Sequence, residues 1–158
     1  MAKKQAYTIK QGLDLARGYC SVQERSQAEV CSKLISWGLD LEQAEDVVSS
    51  LILEGFINES RFASIYARSK FNQNHWGKIK IKYSLRQKGI SDICIREALE
   101  EINQEKYYSL CEKLAQKKWG DLKGEGYVSK KQKTISFLNS KGFEYEIINN
   151  IIENLTTK

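Results

Sequence analysis

The sequence predicts an all-α fold: three tandem three-helix repeats forming an elongated array that curves to the right or to the left. Three observations lead there. Proline is absent from all 158 residues, although β-rich folds and long irregular loops ordinarily use it and helix interiors exclude it. Hydrophobic residues make up 41% and charged residues 28%, a globular balance that argues against disorder. The third observation is a repeat keyed on three glycines.

Gly38, Gly89 and Gly142 stand 51 and 53 residues apart. Four residues before each comes Leu34, Leu85 or Leu138, and one residue after comes Leu39, Ile90 or Phe143. Further on, Ala44, Ile95 and Ile148 align, then Val47, Ala98 and Ile151, then Leu51, Ile102 and Leu155. Those offsets trace one face of a helix, and three copies in register make a repeat array. Each copy reads as helix, left-handed glycine, apolar residue, helix, with the glycine just past the helix end.

Start signals support the same elements. Ser26-x-x-Glu29, Asp40-x-x-Gln43 and Ser129-x-x-Gln132 have the spacing of capping boxes. One more helix precedes each pair, over 8–20, 58–73 and 104–119. The second of these is the best marked: Asn58 caps it, and Ile57 and Phe62 are spaced for a hydrophobic staple. Leu53-Glu-Gly55 closes the helix before it. A glycine-rich stretch, Gly120–Gly126, reads as the one flexible connection. The expected domains are 1–56, 57–102 and 103–158. Such units lean on their neighbours for burial, and a long surface suits an extended partner such as a filament or a nucleic acid.

Several function classes drop out. No apolar run approaches the about 18 residues that span a bilayer, and Met1–Ala6 with the mixed stretch after it lacks a signal-peptide core. A cytoplasmic protein without membrane contact is expected. Cys20, Cys31, Cys94 and Cys111 include no C-x-x-C pair, so they read as buried thiols rather than a redox or metal centre. His75 is the sole histidine, which removes histidine triads and two-histidine metal sites; within Asn72–Gly77 it reads as a turn residue. Carboxylates cluster at Glu42, Glu45 and Asp46 and at Glu97, Glu100 and Glu101, spaced as a divalent ion would need, yet that spacing also describes a solvated helix face. Gly120–Gly126 matches no phosphate-loop pattern. No catalytic residue, cofactor or metal is expected. This chain works by binding.

Charge points to where. Residues 1–57 hold 6 basic and 8 acidic side chains, residues 91–158 hold 11 of each, and residues 58–90 hold 8 basic against the single acid Glu59. The net charge of +5 therefore comes from this middle stretch, which suggests an acidic or polyanionic partner. In the helix after Trp76, Lys78, Lys82 and Arg86 are spaced i, i+4, i+8 and span about 80° of its circumference. Ile81 and Leu85 should face the core, leaving Ile79 and Tyr83 nearer the cations. Arg61 and Arg68, seven apart, share one side of the preceding helix. A merely solubilising face is the plainer reading. Trp37, Trp76 and Trp119, each before a glycine, read as core anchors.

The stretches Leu53-Glu-Gly-Phe-Ile-Asn-Glu-Ser-Arg-Phe-Ala63, Tyr66-Ala-Arg-Ser-Lys70, Gly77-Lys-Ile-Lys-Ile81 and Leu85-Arg-Gln-Lys-Gly-Ile90 closely resemble the RecX family of bacterial recombination regulators. About 40 residues of the middle unit carry the match. Asn58-Glu59-Ser60 departs mildly from the family's usual acidic pair, and the third copy resembles it less. The resemblance implies a non-enzymatic, monomeric modulator of RecA in recombination and DNA repair. It would lie in the groove of the RecA–single-stranded-DNA filament and damp its ATPase and strand-exchange activities, with weak contact to single- or double-stranded DNA allowed. The binding surface so implied falls on Arg61, Arg68, Lys70, Lys78, Lys82, Arg86 and Lys88. Two rivals remain. Helix, glycine turn, helix is also the skeleton of helix-turn-helix DNA binders, although the acidic first unit would repel DNA; an adaptor for an unrelated acidic protein would look the same.

Overall fold

The computed structural model describes residues 7–157; residues 1–6, read above for a leader, lie outside them. The described residues form nine α-helices and no strand. In chain order these are α1 (Ile9–Val22), α2 (Gln27–Ser36), α3 (Leu41–Leu53), α4 (Glu59–Asn74), α5 (Lys78–Gln87), α6 (Asp92–Glu100), α7 (Gln104–Asp121), α8 (Tyr127–Lys141) and α9 (Tyr145–Thr156).

The glycine repeat takes the form its sequence demands. Gly38, Gly89 and Gly142 have φ of 101°, 78° and 93°, left-handed values that L side chains avoid. After each, the next residue's N–H donates back five positions: Leu39 to the Leu34 carbonyl (3.2 Å), Ile90 to Leu85 (3.1 Å) and Phe143 to Leu138 (3.2 Å). The glycine N–H groups donate to the carbonyls of Ile35, Arg86 and Asn139, each at 3.0 Å. Both bonds together are the Schellman closure. The flanking apolar pairs are buried in all three copies, as are Ala44, Ile95, Ile148, Val47, Ala98, Ile151 and Leu51; Ile102 and Leu155 are half-buried.

By compactness the chain divides into two units. One comprises residues up to Ile65 with Leu85–Ile95, the other Tyr66–Ser84 with residues from Arg96 onward. The division passes through α4, α5 and α6. In the first unit α1, α2 and α3 pack on one another, around Ala16, Val30, Leu34, Val47 and Leu51. Capping boxes start all three helices, on Thr8–Gln11, Ser26–Glu29 and Asp40–Gln43; the first of these was not foreseen. Asn58 Oδ1 accepts from the Arg61 N–H at 2.8 Å, capping α4, and Ile57 and Phe62 are both buried. In the second unit α7, α8 and α9 pack together. Buried Tyr107 stands at their centre, its ring 5.9 Å from Phe71 and 5.3 Å from Phe143.

Four expectations need correction. Ser129 and Gln132 form no capping box: α8 begins at Tyr127 behind Gly126, and the Ser129 hydroxyl donates to Glu125 Oε2 at 2.8 Å. The glycine-rich connection is shorter than expected, because α7 continues through Gly120 to Asp121. Only Cys20 and Cys111 are buried; Cys31 and Cys94 are half-buried. The three tryptophans are also half-buried, packing edge-on against tyrosines (Trp37 on Tyr7 and Tyr19, Trp119 on Tyr127) or lying under lysines (Trp76). An indole beside a helix end keeps one face at the surface.

Candidate partner-binding surface

The seven cations singled out by sequence divide between the two units. In the first unit they are neutralised. Arg61 pairs with Glu24 and reaches the carbonyls of Gly55 (3.1 Å) and Phe56 (3.4 Å). Arg86 pairs with Asp92 at 3.1 Å and Lys88 with Glu29 at 3.0 Å. Glu59, the lone acid of the basic block, accepts from the Ser91 N–H at 2.6 Å. Charge counting along the chain missed these pairs because Glu24, Glu29 and Asp92 lie outside the block.

In the second unit Lys70, Lys78 and the neighbouring Lys80 sit on aromatic rings. Lys70 Nζ lies 4.9 Å from the Trp76 ring centroid and 5.4 Å from that of Tyr66; Lys80 lies 4.7 Å from Trp76, and Lys78 4.9 Å from Tyr107. Such contacts orient an ammonium without cancelling its charge. Among the described residues no carboxylate forms an ion pair with Lys70, Lys78, Lys80 or Lys82. Arg68 and Lys82 are exposed, and Lys70, Lys78 and Lys80 half-exposed. Ile81 and Leu85 are fully buried, as expected, while Ile79 and Tyr83 are 54% and 65% exposed beside Lys82. Lys80 belongs with this group, although the i, i+4, i+8 ridge passed over it; its ring partner Trp76 lies four residues earlier.

What fixes the start of α5 is a backbone clasp. Gly77 N–H donates to the Lys141 carbonyl at 2.7 Å, and Ile79 N–H to the Gly142 carbonyl at 3.0 Å. Between them Lys78 N–H donates to Tyr107 Oη at 2.9 Å, and that hydroxyl donates on to Glu144. Three successive orphan donors of the helix start are thus satisfied by the α8–α9 turn and α7. Lys141 Nζ reaches the Asn74 carbonyl at 3.0 Å and Lys80 Nζ the Ser140 carbonyl at 3.4 Å. The approach is close enough that a Cβ on Gly77 would fall 2.3 Å from the Gly142 carbonyl. Before the clasp His75 turns the chain with φ 57°, a left-handed value histidine tolerates better than most residues. Burial, and then the bond to Glu144, hold the Tyr107 hydroxyl protonated well above the ordinary phenol range. Burial likewise pushes the Cys111 thiol up to about 12, making it a packing residue rather than a nucleophile.

Among the described residues no group of histidine, cysteine, aspartate and glutamate is placed to hold a metal ion. The carboxylates at Glu42, Glu45 and Asp46 and at Glu97, Glu100 and Glu101 are exposed. No helix of the described residues is long and apolar enough to cross a membrane. The arrangement can hold an anionic partner.

Comparison with known proteins gives this chain a family. Residues 58–99 match the model described as RecX, second three-helix domain, and residues 104–152 the model described as RecX, third three-helix domain. "Regulatory protein RecX" of Clostridium tetani is 34% identical over 133 residues, covering 83% of this chain and 61% of that protein. Its namesake in Prosthecochloris aestuarii is 30% identical, covering 94% and 95%. This chain thus spans less than two thirds of the Clostridium relative but nearly all of the Prosthecochloris one. The crystal structure of RecX from Lactobacillus salivarius matches with a TM-score of 0.85 at 31% identity, over 95% of this chain and 97% of that chain. On the two domain models and these relatives, the chain belongs to the RecX family.

Proposed function

We propose that this chain is a non-enzymatic regulator that binds the RecA filament on single-stranded DNA and lowers its ATP turnover and strand exchange. It acts as a monomer in the cytoplasm, through three domains over 1–56, 57–102 and 103–158. The observation that carries the reading is the cation group at the start of α5: Lys78, Lys80 and Lys82, without carboxylate partners among the described residues, beside exposed Ile79 and Tyr83. Cations next to apolar side chains on a rigid helix suit an anionic protein groove better than water, where exposed apolar area gains nothing. Arg68 and Lys70 belong to the same unit as this group; Arg86, Lys88 and Arg61 are the further residues of the reading, and Arg61, tied to Glu24, is the most structural of them.

The test is charge reversal. Replacing Lys78, Lys82 and Arg86 with glutamate keeps helix propensity nearly constant, so the melting temperature should stay near the parent's. Each hydrogen-bonded contact to a charged group is worth about 1.5–3 kcal/mol, and affinity for the RecA–DNA filament should fall more than about tenfold. The parent's affinity should weaken as salt rises. A folded triple variant that binds the filament and slows its ATPase like the parent would overturn the proposal.

A further inference from the structure

Arg25, in the loop between α1 and α2, carries its charge on an aromatic ring instead of a counter-ion. Its guanidinium carbon lies 4.0 Å from the Tyr19 ring centroid. Lys33 Nζ lies 5.6 Å from the same ring and 5.7 Å from that of Trp37. Trp37 in turn meets Tyr19 edge-on at 6.2 Å and Tyr7 at 6.4 Å. Among the described residues no carboxylate forms an ion pair with Arg25 or Lys33. Glu24, next in the chain, is paired with Arg61. Arg25 Nε is buried without a hydrogen-bond partner, as is Glu24 Oε2, although buried polar groups are nearly always paired. Arg17 of the same unit, by contrast, holds Asp14 at 2.8 Å and Glu54 at 2.7 Å. Lys33 and Tyr7 are exposed, and Tyr19, Arg25 and Trp37 half-buried.

We propose that this cluster docks a protein segment through a single carboxylate, with an aspartate or glutamate on Arg25 and Lys33 and an apolar neighbour against Tyr7 and Trp37. Three features select that occupant. A guanidinium laid on a ring is already oriented, and its planar fork matches a carboxylate side-on through Nε and one Nη, which gives the Nε–H the acceptor it lacks. Arginine, tyrosine and tryptophan gathered in one patch are the residues that dominate protein–protein hot spots. A nucleic-acid strand fits poorly. Arg25 already covers the Tyr19 ring, and residues 1–57 carry 8 acids against 6 bases, a balance that repels a polyanion yet admits one carboxylate. The site lies within the first unit and does not rest on the filament reading.

The experiment uses the full chain, nitrogen-15 labelled and without RecA, and follows the arginine Nε–H resonances by NMR. The probe is the capped peptide acetyl-Gly-Phe-Asp-Phe-Gly-amide, titrated to about 5 mM, enough to reveal a site of millimolar affinity. The Arg25 Nε–H, assigned by its loss in Arg25→Lys, should move downfield and saturate, while that of Arg17 stays in place. The same peptide with asparagine for aspartate should bind at least about tenfold more weakly, since it loses the charge-assisted pair. Arg25→Gln should weaken binding by a similar factor. Because Arg25 also packs on Tyr19, the exposed Lys33→Gln serves as the fold-neutral version and should cost about threefold at unchanged melting temperature. Lys78→Gln with Lys82→Gln should leave it within about twofold. An Arg25 Nε–H that no peptide moves overturns the assignment, since the guanidinium would then be satisfied within the fold. So does equal binding of the asparagine peptide, which would mean apolar contact alone, or an oligo-dT that shifts Arg25 at lower concentration than the peptide, which would mean a polyanion site.

Discussion

Replacing Gly77 with alanine tests the clasp that seats α5. An added Cβ would lie 2.3 Å from both the carbonyl carbon and oxygen of Gly142 and 2.4 Å from the Phe143 nitrogen. These are backbone atoms, with no side chain to swing aside. Relief requires the α5 start to move off the α8–α9 turn, which breaks the bonds from Gly77 to Lys141 and from Ile79 to Gly142. Each orphaned buried donor or acceptor costs about 1–3 kcal/mol, so the substitution should cost about 3–4 kcal/mol. At this chain length that lowers the melting temperature by about 10 °C. Three other glycines calibrate the result. Gly120 lies inside α7 with nothing within 4 Å, so Gly120→Ala should stabilise by about 0.5–1 kcal/mol. Gly89 has φ +78° and equally open surroundings, so Gly89→Ala should cost only the left-handed strain, about 1–2 kcal/mol. Gly142 combines φ +93° with a Cβ position 2.3 Å from Lys80 Cβ, and should cost at least as much as Gly77. Urea denaturation measures all four, and hydrogen exchange at the Gly77 and Ile79 amides reports the clasp itself. A Gly77→Ala protein within about 0.5 kcal/mol of the parent, with both amides still protected, would refute the close approach.

Other outcomes follow from single contacts. Tyr107→Phe removes the acceptor for Lys78 N–H and the donor to Glu144; it should cost about 1–3 kcal/mol in chemical denaturation and speed exchange of the Lys78 amide. Ser26→Ala should cost about 1 kcal/mol by loss of a capping box, whereas Ser129→Ala, which caps nothing, should stay within about 0.5 kcal/mol. Stability should fall as pH rises from about 9 towards 12: the folded state keeps Cys111 protonated up to about 12 while the unfolded thiol ionises near 9.0, so the unfolded state binds fewer protons there. Cys111→Ala should flatten that slope in denaturation series at pH 8 and 10.5, though Tyr107, raised for the same reason, leaves a residue of it.

Much of the fold was legible because its signals are local. A left-handed glycine followed by an apolar residue, a capping serine or aspartate with its partner three residues on, and a buried stripe at helical period all act within about five positions of the chain. That is why Gly38, Gly89 and Gly142 located three helix ends, why Ser26, Asp40 and Asn58 located three starts, and why the fold class followed. Ser129 failed for a reason equally local: α8 begins two residues earlier, at Tyr127, so Ser129 lies inside the helix and its hydroxyl donates to Glu125 instead of accepting from the helix start.

The candidate surface was only half legible, because charge acts through space. Arg61, Arg86 and Lys88 belong to the basic block by position, yet their carboxylates stand at Glu24, Asp92 and Glu29, outside residues 58–90. Gly77 read as part of a glycine-basic motif. Its actual constraint is the turn at Gly142, 65 residues further along, which meets it backbone to backbone. Sequence alone thus determined the helices, most of their ends and the family resemblance, which depend on neighbours in the chain. Tertiary structure decided which cations remain uncompensated and which glycine has no room for a methyl group, since both depend on atoms that only folding brings within a few ångströms.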